Sequence, residues 1–185
     1  VSYQKKKINK LAKSCKGMIG GSDNGKRGFM LTYAIAYVRD FVSDYQIMGE
    51  TMETTVSWSN IQNVINAVSE KLNELHNLYK MPGKPYVSYR IPQIYHTGVC
   101  IYFMLGMSVK GIDEPEEKFS QIEHTLREVI IKNGGSISHH HGVGKLRKDF
   151  LPNTLSETSM QLVQELKLSH DPQNIFGAKN GILAK

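Results

Sequence analysis

Cysteine is scarce in this chain: Cys15 and Cys100 are its only two, far apart and outside any CxxC spacing. Neither a disulfide framework nor a zinc knuckle is therefore expected, and a reducing compartment fits better than a secreted one. Long apolar runs are absent too, none approaching the roughly 20 residues that a membrane-spanning helix needs. The start, Val1-Ser2-Tyr3-Gln4 followed by Lys5-Lys6-Lys7, has no hydrophobic signal region and no initiator Met, which reads as a fragment or a processed piece of something longer. No GxGxxG follows a predicted strand, and neither a P-loop nor a GxSxG elbow occurs. Internal repeats and disordered linkers are also missing.

What is present suits one domain. The chain has 185 residues, 40 % of them hydrophobic and 22 % charged, enough to bury a real core. The net charge is +6, and Lys5, Lys6, Lys7, Lys10, Lys13 and Lys16 carry much of the excess. Lys6, Lys10 and Lys13 lie one turn apart, the pattern of a solvated helix face. Aromatics are not interleaved with this run and no nucleic-acid motif accompanies it, so no nucleic-acid partner is expected. Anionic small molecules remain compatible with the charge. The competing reading is a basic module for anionic lipid surfaces or nucleic acid, marked by strongly salt-dependent binding.

Periodicity places helices over residues 3–16, 29–45, 59–79, 115–133 and 156–168, with a loop over 20–25. The 29–45 segment is so rich in apolar residues that a mostly buried helix is expected, with Arg39 and Asp40 inside it. Such charges must be paired there, or serve a site. Ser59 and Gln62 fit a capping box, Asp113 or Glu114 can cap at Pro115, and His76 is expected at the surface. Strands are expected over 46–57, 86–94 and 97–109. In the last of these Cys100, Tyr102 and Met104 share one face, opposite Ile101, Phe103 and Leu105. Residues 145–150 read as a short basic helical turn broken by Pro152. The fold class is α+β, an antiparallel sheet of about four or five strands flanked by helices.

The most unusual stretch is Gly134-Gly135-Ser136-Ile137-Ser138-His139-His140-His141-Gly142-Val143-Gly144-Lys145. If 137–141 is extended, His139 and His141 share a side and His140 faces away. Adjacent strand residues cannot all reach one ion, and no Asp, Glu or Cys stands next to them in sequence, so no metal is expected. Acid–base work or anion binding fits better, with Arg39 and Lys145 as counter-charges. An inert, solvated loop is the alternative. Residue types alone name no reaction.

The chain resembles the alkyldihydroxyacetonephosphate synthase (alkylglycerone-phosphate synthase) family. The likeness is carried by Asn24-Gly25-x-Arg27-Gly28-Phe29-x-Leu31-Thr32-Tyr33-x-Ile35-Ala36-Tyr37-x-Arg39-Asp40, by Gly49-Glu50-x-x-Glu53-Thr54, and by Cys100-Ile101-Tyr102-Phe103. It continues through the histidine stretch to Lys148 and into Asp171-Pro172-x-Asn174-Ile175-Phe176-Gly177. These flavoproteins are similar to vanillyl-alcohol oxidase. The resemblance covers their C-terminal portion, and it implies a partial cap or substrate domain over 1–133 and a segment over 134–185 that returns to the FAD-binding domain. The Gly-rich stretches that hold the FAD pyrophosphate have no counterpart here.

The implied reaction exchanges the acyl chain of acyl-dihydroxyacetone phosphate for a fatty alcohol, with FAD serving without net redox. Tyr102 is then the residue that moves a proton at the substrate carbon, a task that asks cationic neighbours to lower its ordinary pKa of about 10. Arg39 holds the substrate's anionic group, His139, His140 and His141 serve activity through phosphate binding and positioning, and Ala178, Lys179, Asn180, Gly181 and Ile182 fall on an activity-related tail. The resemblance further implies a homodimer, peripheral membrane contact and a peroxisomal location, although the terminal Ala184-Lys185 is not an SKL signal. A related flavoprotein reading is an FAD-dependent 2-hydroxy-acid oxidase or dehydrogenase.

Overall fold

Alternation along two strands decides the sheet. In β1 (Ile47–Ser57), Met52, Thr54 and Val56 lie on one face while Thr51, Glu53 and Thr55 lie on the other. In β3 (Gly98–Ser108), Val99, Ile101, Phe103, Leu105 and Met107 join the Met52 face. With β2 (Tyr86–Ile94) these form an antiparallel sheet in the order β1-β3-β2, so the most apolar strand is central. Tyr102 pairs with Glu53 on one side and with Arg90 on the other, one row across three strands. The register of β2 shifts between Arg90 and Gln93, where Pro92 removes a ladder donor on an edge strand.

The structure is a computed structural model describing residues 1–183; Ala184 and Lys185, read above for a targeting signal, lie outside the described residues. Two compact units divide at Asp44 and Tyr45.

In the second unit, α3 (Ile61–Leu78) and α4 (Pro115–Lys132) cover the Met52 face of the sheet. Val64, Ile65, Val68, Leu72 and Leu75 meet Phe119, Ile122, Leu126 and Ile130 there in one core. Each such buried side chain contributes about 1.5–3 kcal/mol. Glu123 and Arg127, one turn apart on α4, bury together as an ion pair. His76 is buried, not at the surface: it follows Leu72 by four residues and so falls on the same apolar stripe. The expected capping box is not formed. Asn60 is the N-cap of α3, no side chain caps it, and Ser59 lies in the preceding 3-10 turn. Nor does a side chain cap α4, whose N-cap Glu114 is left-handed at φ 50°.

In the first unit, α1 (Ser2–Ser14) is followed by α2 (Gly21–Asp44). The expected loop at 20–25 is helical from Gly21, with Asp23 in the first turn where the helix dipole favours an acid. No residue of α2 is buried, although Phe29, Leu31, Tyr33, Ile35 and Tyr37 were expected in a core. The other helix of its unit is the lysine-rich α1, none of whose residues is buried either. Among the described residues no helix is long and apolar enough to cross a membrane.

Three strands form among the described residues, and not four or five, because residues 137–141 bend instead of extending. Beyond them, residues 148–153 make a 3-10 turn that contains Pro152 where a break was expected. The last helix, α5 (Glu157–His170), starts at Ser156, whose hydroxyl accepts the Ser159 N–H. The Asp171 carboxylate then accepts the N–H groups of Ile175 and Phe176, each at 2.9 Å, and pairs with Lys167. Lys167 foremost, with those amides, holds Asp171 below the usual carboxylate range. Asp-Pro-x-Asn-Ile-Phe-Gly is therefore a turn built on one carboxylate.

Candidate functional site

The sheet face opposite the core carries Glu53, Tyr102 and Arg90 in a row, and the histidine stretch lies against it. The stretch reaches this position by docking on the free edge of β1. Ser136 N–H donates to the Thr55 carbonyl at 3.0 Å, the Thr55 N–H donates to Ser136 Oγ at 2.8 Å, and Thr54 Oγ1 donates to the Ser136 carbonyl at 2.8 Å. Such pairing also covers a strand edge that would otherwise be open. Close approach demands glycine at 135: a Cβ there would stand 2.5 Å from Ile130 Cγ2 and 2.7 Å from Thr54 Oγ1. Gly135→Ala should therefore destabilise the second unit by about 1–3 kcal/mol. Urea unfolding followed by the fluorescence of Trp58, the single tryptophan, would read this loss; an unchanged midpoint would refute the close fit.

Once docked, the stretch bends over Glu53. The Glu53 carboxylate accepts Ser138 O–H at 2.9 Å, His140 N–H at 3.1 Å and His141 N–H at 2.8 Å on Oε1, and His139 N–H on Oε2. Burial pushes this carboxyl up, but the hydrogen bonds together outweigh it and leave Glu53 below its ordinary range. It is ionised at neutral pH although only 1 % exposed.

The rings do not follow strand alternation. Both His140 and His141 face Tyr102, the first stacked at 5.8 Å between centroids and the second edge-on at 5.5 Å. His139 is bonded through Nε2 to the Tyr95 hydroxyl, and its Nδ1 is hydrogen-bonded to His140 Nδ1 at 2.8 Å. The Arg90 guanidinium stands over the Tyr102 ring at 4.5 Å, a cation–π contact. His141 is lowered from the ordinary imidazole value by burial foremost, with His140 and Arg147 adding to this while Glu53 and Glu50 oppose it. The Tyr102 hydroxyl has no hydrogen-bond partner among the described residues.

The expected site residues therefore divide. Tyr102, His139, His140 and His141 come together. Arg39 belongs to the first unit, where its exposed guanidinium lies 3.7 Å from Asp40. Ala178, Lys179, Asn180, Gly181 and Ile182 form a turn with Asn180 N–H on the Gly177 carbonyl. No hydrogen bond, ion pair or ring contact ties that turn to the histidines among the described residues. A cysteine also stands beside the histidines, contrary to the reading of neighbours in sequence. Ligand atoms of Cys100, His139 and His140 lie within 4.8 Å of one another, a group able to hold a metal ion, because cross-strand pairing brings Cys100 beneath the loop. Burial foremost, then the charge of Glu53, raises the Cys100 thiol, so it is protonated as it stands.

Glu53 entered the sequence reading only as a residue of the family likeness, without a role, and Arg90 and Tyr95 were not singled out. For Glu53 a signal existed: a carboxylate between Met52 and Thr54 in a predicted strand must find donors if its face is covered. The donors of this face are an unpartnered phenol, a guanidinium and an exposed imidazole, a set that fits acceptor-rich groups such as a flavin ring or a phosphate.

The chain is similar to alkyldihydroxyacetonephosphate synthases. It is 36 % identical to that of Caenorhabditis elegans over 97 % of this chain and 30 % of the relative, and 30 % identical to that of Dictyostelium discoideum over 84 % and 25 %. It thus spans less than a third of the length of these relatives. A solved structure of alkyldihydroxyacetonephosphate synthase shares the fold, with a TM-score of 0.63 over 95 % of this chain and 28 % of that one at 20 % identity. Residues 2–180 match the family of FAD linked oxidases, C-terminal domain. The chain belongs to that family of C-terminal domains.

Proposed function

We propose that this chain forms the substrate-facing wall of a flavin-dependent alkyl transferase. The enzyme exchanges the acyl chain of acyl-dihydroxyacetone phosphate for a fatty alcohol, releasing a fatty acid and forming the ether bond of ether lipids. One observation carries the reading: in a chain similar to such synthases, the Tyr102 hydroxyl, without a hydrogen-bond partner among the described residues, lies beside a guanidinium and two imidazoles. FAD, when bound, would supply an electron-accepting ring at the substrate carbon with no net redox change.

The chain's own residues do the rest. Tyr102 moves a proton at that carbon, with the Arg90 guanidinium over its ring. The backbone donors of 139–141 are taken by Glu53, and both ring nitrogens of His139 are held by Tyr95 and His140, so His139 serves by positioning while His140 Nε2 and the His141 ring bind the phosphate. Arg39 offers a planar fork for the anionic group, and the 178–182 turn serves activity from the tail. In the same reading, 1–133 is the cap and 134–185 the segment returning to the FAD-binding domain. The whole protein is a peroxisomal homodimer with peripheral membrane contact.

The test is product analysis with the flavin-loaded protein that carries this chain. Labelled fatty alcohol should appear in the ether product with one fatty acid released per ether formed. Dye reduction by a 2-hydroxy acid without alcohol incorporation would overturn the reading in favour of an oxidoreductase.

A further inference from the structure

A buried carboxylate without a full cationic partner needs an explanation. Glu53 is almost fully buried, and among the described residues it makes one ion pair, with the His141 ring, whose Nδ1 lies 3.8 Å from Oε1, while Cys100 and Arg147 also feel its charge. Leaving such a charge in a protein interior without donors costs several kcal/mol. Here four donors converge on it, three of them successive backbone N–H groups. Successive amides aimed at one point form an anion-binding nest, and in this protein the anion is the chain's own side chain. A charged acceptor makes hydrogen bonds about twice as strong as a neutral one and takes several donors at once, which neither glutamine nor an apolar residue could do. Glu53 is also the residue directly opposite Tyr102 in the ladder. A single side chain thus links the path of the histidine stretch to the row that holds the phenol.

We propose that Glu53 is a positioning residue of this site: its carboxylate, by holding the amides of His139, His140 and His141, fixes where the three imidazoles stand relative to the Tyr102 hydroxyl. This rests on the reading that these groups act on an alkyl-transfer substrate. Glu53 itself touches no substrate. Its effect is geometric, and electrostatic on His141, which is faced by Glu53 and Glu50 from β1, by Tyr102 from β3 and by His140 and Arg147 from its own segment.

Glu53→Gln is nearly isosteric, removes the charge and turns an amide NH2 toward N–H groups. In the flavin-loaded protein carrying this chain, kcat should fall on the order of 10²-fold with little change in KM for the alcohol, the scale of a misplaced catalytic group. Glu53→Asp, which keeps the charge but reaches fewer amides, should recover part of that loss. Imidazole NMR supplies the reading that a merely structural role would not move: without the Glu53 charge, His141 should titrate at lower pH than in the wild type. A folded Glu53→Gln variant with wild-type kcat and an unmoved His141 titration overturns the inference. If that variant does not fold, Ser138→Ala decides. It removes one donor to Oε1 and should lower kcat about tenfold, and wild-type kcat there overturns the inference equally. Tyr102→Phe separates this from the functional reading. Retained turnover in it defeats the alkyl-transfer assignment, while the His141 titration still tests the hold of Glu53.

Discussion

Tyr102→Phe should abolish alkyl transfer while leaving the protein folded. The substitution removes one oxygen from a hydroxyl that has no hydrogen-bond partner among the described residues, so nothing in the fold depends on it. The ring stays, and with it the stacking on His140 and the contact with Arg90. Stability should change by less than about 0.5 kcal/mol. A positioned general acid or base is worth about 10²–10⁴ in rate, so kcat should fall by that factor with KM little affected, since the binding groups remain. Single-turnover rates of the flavin-loaded protein carrying this chain would show it. Turnover within a few-fold of wild type would remove Tyr102 from the chemistry.

The largest expected effect on stability lies on the other face of the same strand. Phe103 is 0 % exposed and sits in the core beneath α3 and α4, with the Tyr89 ring 6.3 Å away. Phe103→Ala should cost about 3–5 kcal/mol, the lost transfer energy plus the cavity left behind. For a chain of this size the melting temperature should fall by roughly 10 °C. Trp58 is a suitable reporter, because it lies between β1 and α3 and donates its indole N–H to the His96 carbonyl at 3.1 Å. Phe29→Ala, on the exposed α2, is the control and should change stability by less than about 0.5 kcal/mol. A loss below about 1 kcal/mol for Phe103→Ala would contradict the packing described.

Neighbouring positions 102 and 103 show what could be read from the chain. Period-two alternation alone separates a core face from a site face, and it placed Phe103 and Tyr102 correctly. Apolar spacing likewise found α3 and α4. His76 was misplaced because a polar residue at the fourth position after Leu72 is carried into the core by the helix, whatever its own preference. α2 was misjudged for the opposite reason: apolar composition tells that a helix would gain from burial, not whether its unit supplies a partner. The site was legible in its parts and not in its assembly. The three histidines stand out by composition, but their arrangement is set by Glu53, which lies far from them in sequence and meets them because the segment docks at Thr54 and Thr55. Cys100 and Arg90 arrive by cross-strand pairing, which no local spacing reveals.

The grip of Glu53 on backbone amides has an evolutionary corollary. Every residue except proline offers an N–H, so the hold of Glu53 on the segment through 139, 140 and 141 does not itself use the rings it displays. The three positions behave as a display cassette, open to exchange of side chains for new ligand preferences and closed to proline. Divergence at these positions can retune what the surface recognises without rebuilding the scaffold beneath it.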